Sequence, residues 1–176
     1  KLRDLLSSSS GELTVRESPQ LGVHVAGLTR HVVQSADAVE KVIDDGTGNR
    51  TVAATKYNSE SSRSHAVFEM HIQQKYKDET SGEDMQSRVK IALIDLAGSE
   101  RSDKLGSVGK ALQEGNNINK SLTVLGRCIR AVGRGKLHVP WRDAVLCQLL
   151  RTSFEGRGST HTAVVVNVSP EHEEET

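Results

Sequence analysis

Asp95 closes an apolar run, Val89 to Ile94, and is followed by Leu96-Ala97-Gly98, a D-x-x-G turn, and then Ser99-Glu100. A carboxylate at the carboxyl end of a strand is suited to hold a hydrated Mg²⁺. A glycine three residues later offers its N–H to a terminal phosphate with no Cβ in the way. Upstream, Asn58-Ser59-Glu60-Ser61-Ser62-Arg63-Ser64-His65 puts hydroxyls, a side-chain amide and a guanidinium on one loop ahead of another strand. Hydroxyls suit Mg²⁺ and phosphate oxygens. Together the two segments describe a nucleotide switch, whose work is positioning and charge stabilisation rather than covalent chemistry. D-x-x-G alone recurs by chance; the pair is specific.

The elements that must carry these segments can be read from periodicity. Ala66, Phe68, Met70 and Ile72 alternate with Val67, Glu69, His71 and Gln73, so His65 to Tyr76 is a half-buried strand. A polar loop, Lys77 to Ser87, leads to the Val89–Ile94 strand, which lacks alternation and reads as buried on both faces. The two fit an antiparallel hairpin. Earlier, Glu12 to Glu17 and Gly22 to Val33 read as short strands broken by Pro19 and Gly22. Ser35 can cap a helix to about Asp45, with Val39, Val42 and Ile43 inward and Gly46 at its stop. After a glycine-bearing loop, Ser99 to Gly115, the spacing of Ile118, Leu122, Leu125, Ile129 and Val132 predicts an amphipathic helix ended by Gly133. Pro140 opens a second helix with Leu146, Leu149 and Leu150 as its apolar stripe, and Thr162 to Val168 reads as a last strand. Strands followed by helices, with a phosphate switch at a strand's carboxyl end, fit an α/β three-layer architecture.

Composition narrows the class. With 35% hydrophobic and 3% aromatic residues among 176, the chain is thin for a self-sufficient core and fits part of a larger sheet. No apolar run approaches the roughly 18 residues of a membrane span, so no membrane contact is expected from this segment. Cys128 and Cys147 have no C-x-x-C spacing and suit a reducing cytosol, with Cys128 on the apolar side of its helix as a core residue. The histidines show no metal-ligand spacing, and no G-x-S-x-G elbow points to a serine hydrolase.

The two switch segments resemble switch I and switch II of the kinesin motor domain. Asn117-Ile118-Asn119-Lys120-Ser121-Leu122, Val139-Pro140-Trp141-Arg142-Asp143 and a strand ending at Ser169-Pro170 follow in the family's order, and Lys1 to Leu6 resembles the end of its Y-N-E-x-x-x-D-L-L stretch. The resemblance implies the three-layer, P-loop-NTPase-type kinesin fold, represented here by its C-terminal half. Gly109-Lys110 and Gly135-Lys136 are the only Gly-Lys pairs, and neither completes a P-loop. Residues 1–176 therefore read as a partial motor domain lacking the P-loop half and the last helix with its neck linker. The isolated chain is expected to be inactive.

By family match, ATP and Mg²⁺ are the cofactors. The resemblance gives Ser62 and Asp95 to Mg²⁺, and Ser61 to the terminal phosphate and attacking water. It makes Gly98 N–H the phosphate sensor, and Arg63 with Glu100 the bridge between the switches. Glu100 is also the proton acceptor through water, and Asn58 steadies the nucleotide pocket. The implied activity is microtubule-stimulated ATP hydrolysis driving movement in the cytoplasm along the cytoskeleton. A non-motile microtubule-binding module of kinesin origin is the alternative. A GTPase half is disfavoured because no N-K-x-D motif is present.

Certain positions depart from the family pattern. Ser59 stands where a glutamate is common, Trp141 replaces the tyrosine of Y-R-D, and Ala144, Val145 and Cys147 replace polar residues. None removes a phosphate or Mg²⁺ group. The segments Arg50 to Thr55 and Ser62 to Phe68 look most like the kinesin-3 branch. A net charge of zero hides a basic stretch: Lys104 to Arg157 holds ten Lys or Arg against three acids. Such a stretch fits an acidic partner surface. The resemblance makes that partner tubulin, with Lys104, Lys110, Arg134, Lys136 and Arg142 as contacts. Nucleic acid is not expected, since the cations are not interleaved with aromatics.

Overall fold

The computed structural model describes residues 1–7, 11–56, 63–99, 110–156 and 159–167. Strands β1 (Thr14–Ser18) and β2 (Gly22–Ala26) form an antiparallel hairpin. Gly22 turns at φ 62°, and the Ser18 hydroxyl accepts from the Leu21 N–H at 3.1 Å. The second strand stops at Ala26 rather than Val33, because Gly27 at φ 76° turns the chain out of the pairing direction.

Helix α1 (Ala36–Lys56) begins where the sequence places it: the Ser35 hydroxyl accepts from the Ala38 N–H at 3.2 Å. It does not stop at Gly46. Each interior glycine costs about 1 kcal/mol relative to alanine, but here tertiary contacts favour the helical path. A Cβ on Gly46 would lie 3.6 Å from the Leu6 side chain, and the Asn49 amide donates to the Leu5 carbonyl at 2.8 Å. The opening segment thus lies against the middle of α1. Val39 and Val42 are half-buried, whereas Ile43 stays exposed.

Strands β3 (Ala66–Lys77) and β4 (Asp84–Asp95) pair antiparallel over their full length, from Ala66 opposite Asp95 to Lys77 opposite Asp84. The expected loop from Lys77 to Ser87 shrinks to a turn. Asp78 accepts from the Ser81 N–H and hydroxyl at 3.1 and 2.7 Å, and Gly82 sits at φ 71°. These bonds, led by the Ser81 hydroxyl, hold the Asp78 carboxyl below its usual range. β3 keeps the predicted alternation. β4 does not have two buried faces: Val89 is 51% and Leu93 55% exposed.

Helix α2 (Lys110–Gly133) starts inside the expected loop and ends at the predicted glycine. The left-handed residue is Gly135, at φ 61°. Its N–H reaches Val132 O at 2.9 Å while the Lys136 N–H reaches Ala131 O at 3.0 Å, the paired bonds of a Schellman end. A single 3₁₀ turn (Trp141–Asp143) and helix α3 (Val145–Phe154) follow. Val124, Leu125, Cys128, Trp141, Leu146, Cys147 and Leu150 form the buried core between α2, the turn and α3. Cys128 and Cys147 touch and are fully buried, and burial pushes the Cys147 thiol up to about 12. Leu149 is half-buried, at the edge of this stripe.

The described residues do not assemble three layers on their own. They contain two separate two-stranded sheets, and residues 162–167 join neither; Val165 is 86% exposed. An extended segment becomes a strand only with a hydrogen-bonding neighbour. The chain's accessible surface of 14007 Å² far exceeds the roughly 8,000 Å² of a compact protein of its mass. The exposed apolar residues of β4 are part of that excess.

Candidate functional site

The site forms where the open end of the β3–β4 hairpin meets α1 and α2. Asp95 is the last residue of β4, placed there by its pairing with Ala66, so the 63–65 loop and the 96–98 turn emerge side by side. Arg50 of α1 ties them together. Its Nη1 donates to Asp95 Oδ2 at 2.6 Å, its Nη2 to the Ser64 carbonyl at 2.7 Å and its Nε to Ser64 Oγ at 3.2 Å. The planar guanidinium fixes two backbone segments at once. The carboxylate is engaged through Oδ2 and its side chain remains 68% exposed. As an exposed ion pair it is worth only about 0–1 kcal/mol; its contribution is geometric.

His65 occupies the centre. Its Nδ1 accepts from the Ala97 N–H at 3.0 Å, and its Nε2 lies 2.8 Å from Ser121 Oγ on α2. The Ser121 hydroxyl in turn donates to the Ile118 carbonyl at 2.7 Å. Burial lowers the His65 pKa, the Arg50 cation lowers it further, and Asp95 opposes both. An Nδ1 that accepts from a backbone amide requires the neutral imidazole, and the lowered pKa favours that form. Ala97 is buried, and Gly98 beside it is half-buried.

Of the residues expected to handle nucleotide, Asp95, Gly98 and Arg63 lie at this end of the hairpin, with Arg63 half-buried in a short helical turn before Ser64. Asn58, Ser61, Ser62 and Glu100 lie outside the described residues. So does Lys104 among the cations expected to meet tubulin; Lys110 is the first residue of α2, with its side chain outside the described ones. Arg134 and Lys136 are exposed around the Schellman end of α2. Arg142 is exposed in the 3₁₀ turn, 3.8 Å from Glu17 of β1, which also receives Arg151 at 2.9 Å. Arg127 of α2 approaches Asp143 of the same turn at 3.7 Å.

Sequence reading gave no role to Arg50 or to the His65 ring. The signal for His65 was its place at the end of the hydroxyl loop. Arg50 fell beyond the helix end predicted at Asp45. Among the described residues, no His, Cys, Asp or Glu cluster could hold a metal ion, and no helix is long and apolar enough to cross a membrane.

The family model of the kinesin motor domain matches residues 1–176. The chain belongs to the kinesin motor domain family. Its relatives include kinesin-like protein KIF13A of Mus musculus, 45% identical over all of this chain and 10% of that protein. KIF1C of Homo sapiens is 44% identical over 97% of this chain and 16% of its own length. These belong to the kinesin-3 branch, in agreement with the likeness of Arg50–Thr55 and Ser62–Phe68. A solved fast kinesin superposes with TM-score 0.70 at 43% identity, covering 85% of this chain and 41% of that one. A KIF14 dimer, solved with AMP-PNP in complex with a microtubule, gives 0.72 at 36% identity, covering 84% and 44%. The chain thus spans a small part of the curated kinesins and under half of the solved motors.

Proposed function

We propose that this chain is the switch and microtubule-facing part of a motor that hydrolyses ATP to move along microtubules. The observation that carries the reading is the joint at Asp95, where the two switch segments and α2 meet through Arg50 and His65. A motor needs such a joint, because phosphate sensing must reach the helix that faces the track. In the complete motor, the exposed apolar faces of β3 and β4 pack within a larger central sheet clad by helices, giving the three-layer fold.

The exposed Asp95 carboxylate is a hard oxygen donor suited to a hydrated Mg²⁺, which it would hold through water with the Ser62 hydroxyl as a further ligand. Bound Mg²⁺–ATP supplies the transferable phosphoryl group and the charge that shields it. Ser61 and Gly98 N–H would hold the terminal phosphate, Asn58 would steady the pocket, and Arg63 would bridge to Glu100, which would accept the proton through water. Arg142, Arg134, Lys136, Lys110 and Lys104 would meet acidic tubulin.

Glu100→Ala in the full-length protein should remove most hydrolysis through kcat while ATP binding survives. Arg63→Ala should lose as much, and the double variant little more; additive losses overturn the bridge. Arg142→Ala should weaken microtubule co-sedimentation and flatten its salt dependence, since screening shortens the reach of such charges to about 8 Å. Unchanged affinity and salt slope would remove Arg142 from the tubulin face. The isolated chain, without a P-loop to cradle phosphates, should show no micromolar heat of Mg²⁺–ATP binding by calorimetry.

A further inference from the structure

We infer that His65 is a positioning residue that links the Ala97–Gly98 turn to helix α2, its imidazole joining the Ala97 amide to the Ser121 hydroxyl. The inference rests on the motor reading above and assigns the link to one side chain. The direction of each hydrogen bond follows from chemistry. A backbone amide can only donate, so Nδ1 presents its lone pair to Ala97. The proton of the neutral ring then sits on Nε2 and points at Ser121 Oγ. Ser121 commits its own hydroxyl hydrogen to the Ile118 carbonyl, which leaves its oxygen to accept. One tautomer satisfies every partner, and the opposite tautomer breaks two bonds at once.

The placement gives this relay mechanical meaning. Ala97 is buried and directly precedes Gly98, so a shift of the Gly98 N–H moves the donor that His65 holds. At the far side of the ring, Ser121 lies one turn before Val124 and Leu125, which are packed in the α2–α3 core. The ring thus bridges an exposed hairpin and a helix anchored in a closed core. Arg50 holds the carbonyl of the neighbouring Ser64, which limits how far His65 can follow without pulling on Ser121. A flexible side chain would let the turn and helix move apart; a planar ring with both nitrogens engaged does not.

Two substitutions separate the halves of the link. His65→Asn keeps an acceptor near the position of Nδ1 but does not reach Ser121. Ser121→Ala removes the other end with minimal change in shape. In the full-length protein, both should lower microtubule-stimulated kcat about tenfold, while KM for ATP moves less than about twofold. The double variant should be no worse than either alone. Amide hydrogen exchange of the same proteins supplies a readout independent of ATPase activity. Ser121→Ala should raise exchange in the peptide containing Ala97, and His65→Asn should raise it around Ile118 to Leu122. Faster exchange at both ends with no stimulated ATPase in the unsubstituted protein would support the link and sink the motor reading. Normal stimulated kcat in His65→Asn, or exchange that changes only next to each substitution, would overturn the link. Thermal melting of Ser121→Ala, expected within a few degrees of the unsubstituted protein, guards against a folding defect as the cause.

Discussion

Helices α2 and α3 close on each other through Val124, Leu125, Cys128, Leu146, Cys147 and Leu150, with Trp141 filling the gap beside them. The β3–β4 hairpin is longer and more regular in register, yet Val89, Ile91, Leu93 and Ile94 face solvent. The helical region is held by apolar burial between near neighbours in sequence. The hairpin is held by its own ladder and, at its open end, by polar bonds to Arg50, His65 and Ser121. Regular secondary structure and a packed core are therefore separable here. Asp95 and Gly98, the described residues expected to meet nucleotide, sit at the end of the region that has the first without the second.

The comparison breaks most sharply in the helical core. Leu150→Ala should cost about 2–5 kcal/mol, read by urea unfolding through Trp141, the only tryptophan in the chain. A loss below about 1 kcal/mol would mean this region is not a close-packed core. Next, Arg50→Ala should loosen the base of the hairpin by about 0–1 kcal/mol, because it removes the donor shared by the exposed Ser64 carbonyl and the exposed Asp95 carboxylate. Faster amide exchange at Ser64 to Val67, with an unchanged Trp141 melt, is the expected pattern. A smaller effect is expected for Leu93→Ala: under about 0.5 kcal/mol in this chain, as for exposed positions generally. The same change in the full-length protein should cost several-fold more if a larger sheet covers that face; equal costs in both would refute such cover.

The smallest expected effect lies at the far end of the hairpin. Ser81 lowers the pKa of Asp78 in the folded turn, so the carboxylate's contribution is present above the unfolded value of about 3.9. It is lost as pH falls through the depressed folded value. Amide chemical shifts of Ser81 and Gly82 should therefore titrate below that unfolded value. A midpoint at or above it would contradict the turn.

Much of this was legible in the residues. The alternation from Ala66 to Ile72 gave β3, the three- and four-residue spacing gave α2 and α3, and the apolar side of Cys128 gave a core thiol. The Asp95–Gly98 and Asn58–His65 motifs gave the family. Other features depended on contacts that periodicity does not encode. Helix α1 passes Gly46 because Leu5 and Leu6 lie against it, and that extension brings Arg50 to Asp95. The unbroken apolar run of β4 implies cover on both faces, but the residues that would provide it are not in this hairpin. Residues 162–167 have strand chemistry without a strand beside them. The role of the His65 ring could not be read either, since its partners lie 32 and 56 positions away.

The Schellman end of α2 has a bearing on how its cations are probed. Gly135 turns the chain so that Arg134 and Lys136 flank the carbonyl end of a 24-residue helix, with Arg130 in its last turn. That end carries a partial negative charge of about half an elementary charge, and nearby cations stabilise it by about 0.3–1 kcal/mol each. The same side chains thus have two audiences: a partner outside and the helix beneath them. Neutralising them changes both, whereas exchanging arginine for lysine preserves the charge seen by the helix and alters only the shape offered to the partner.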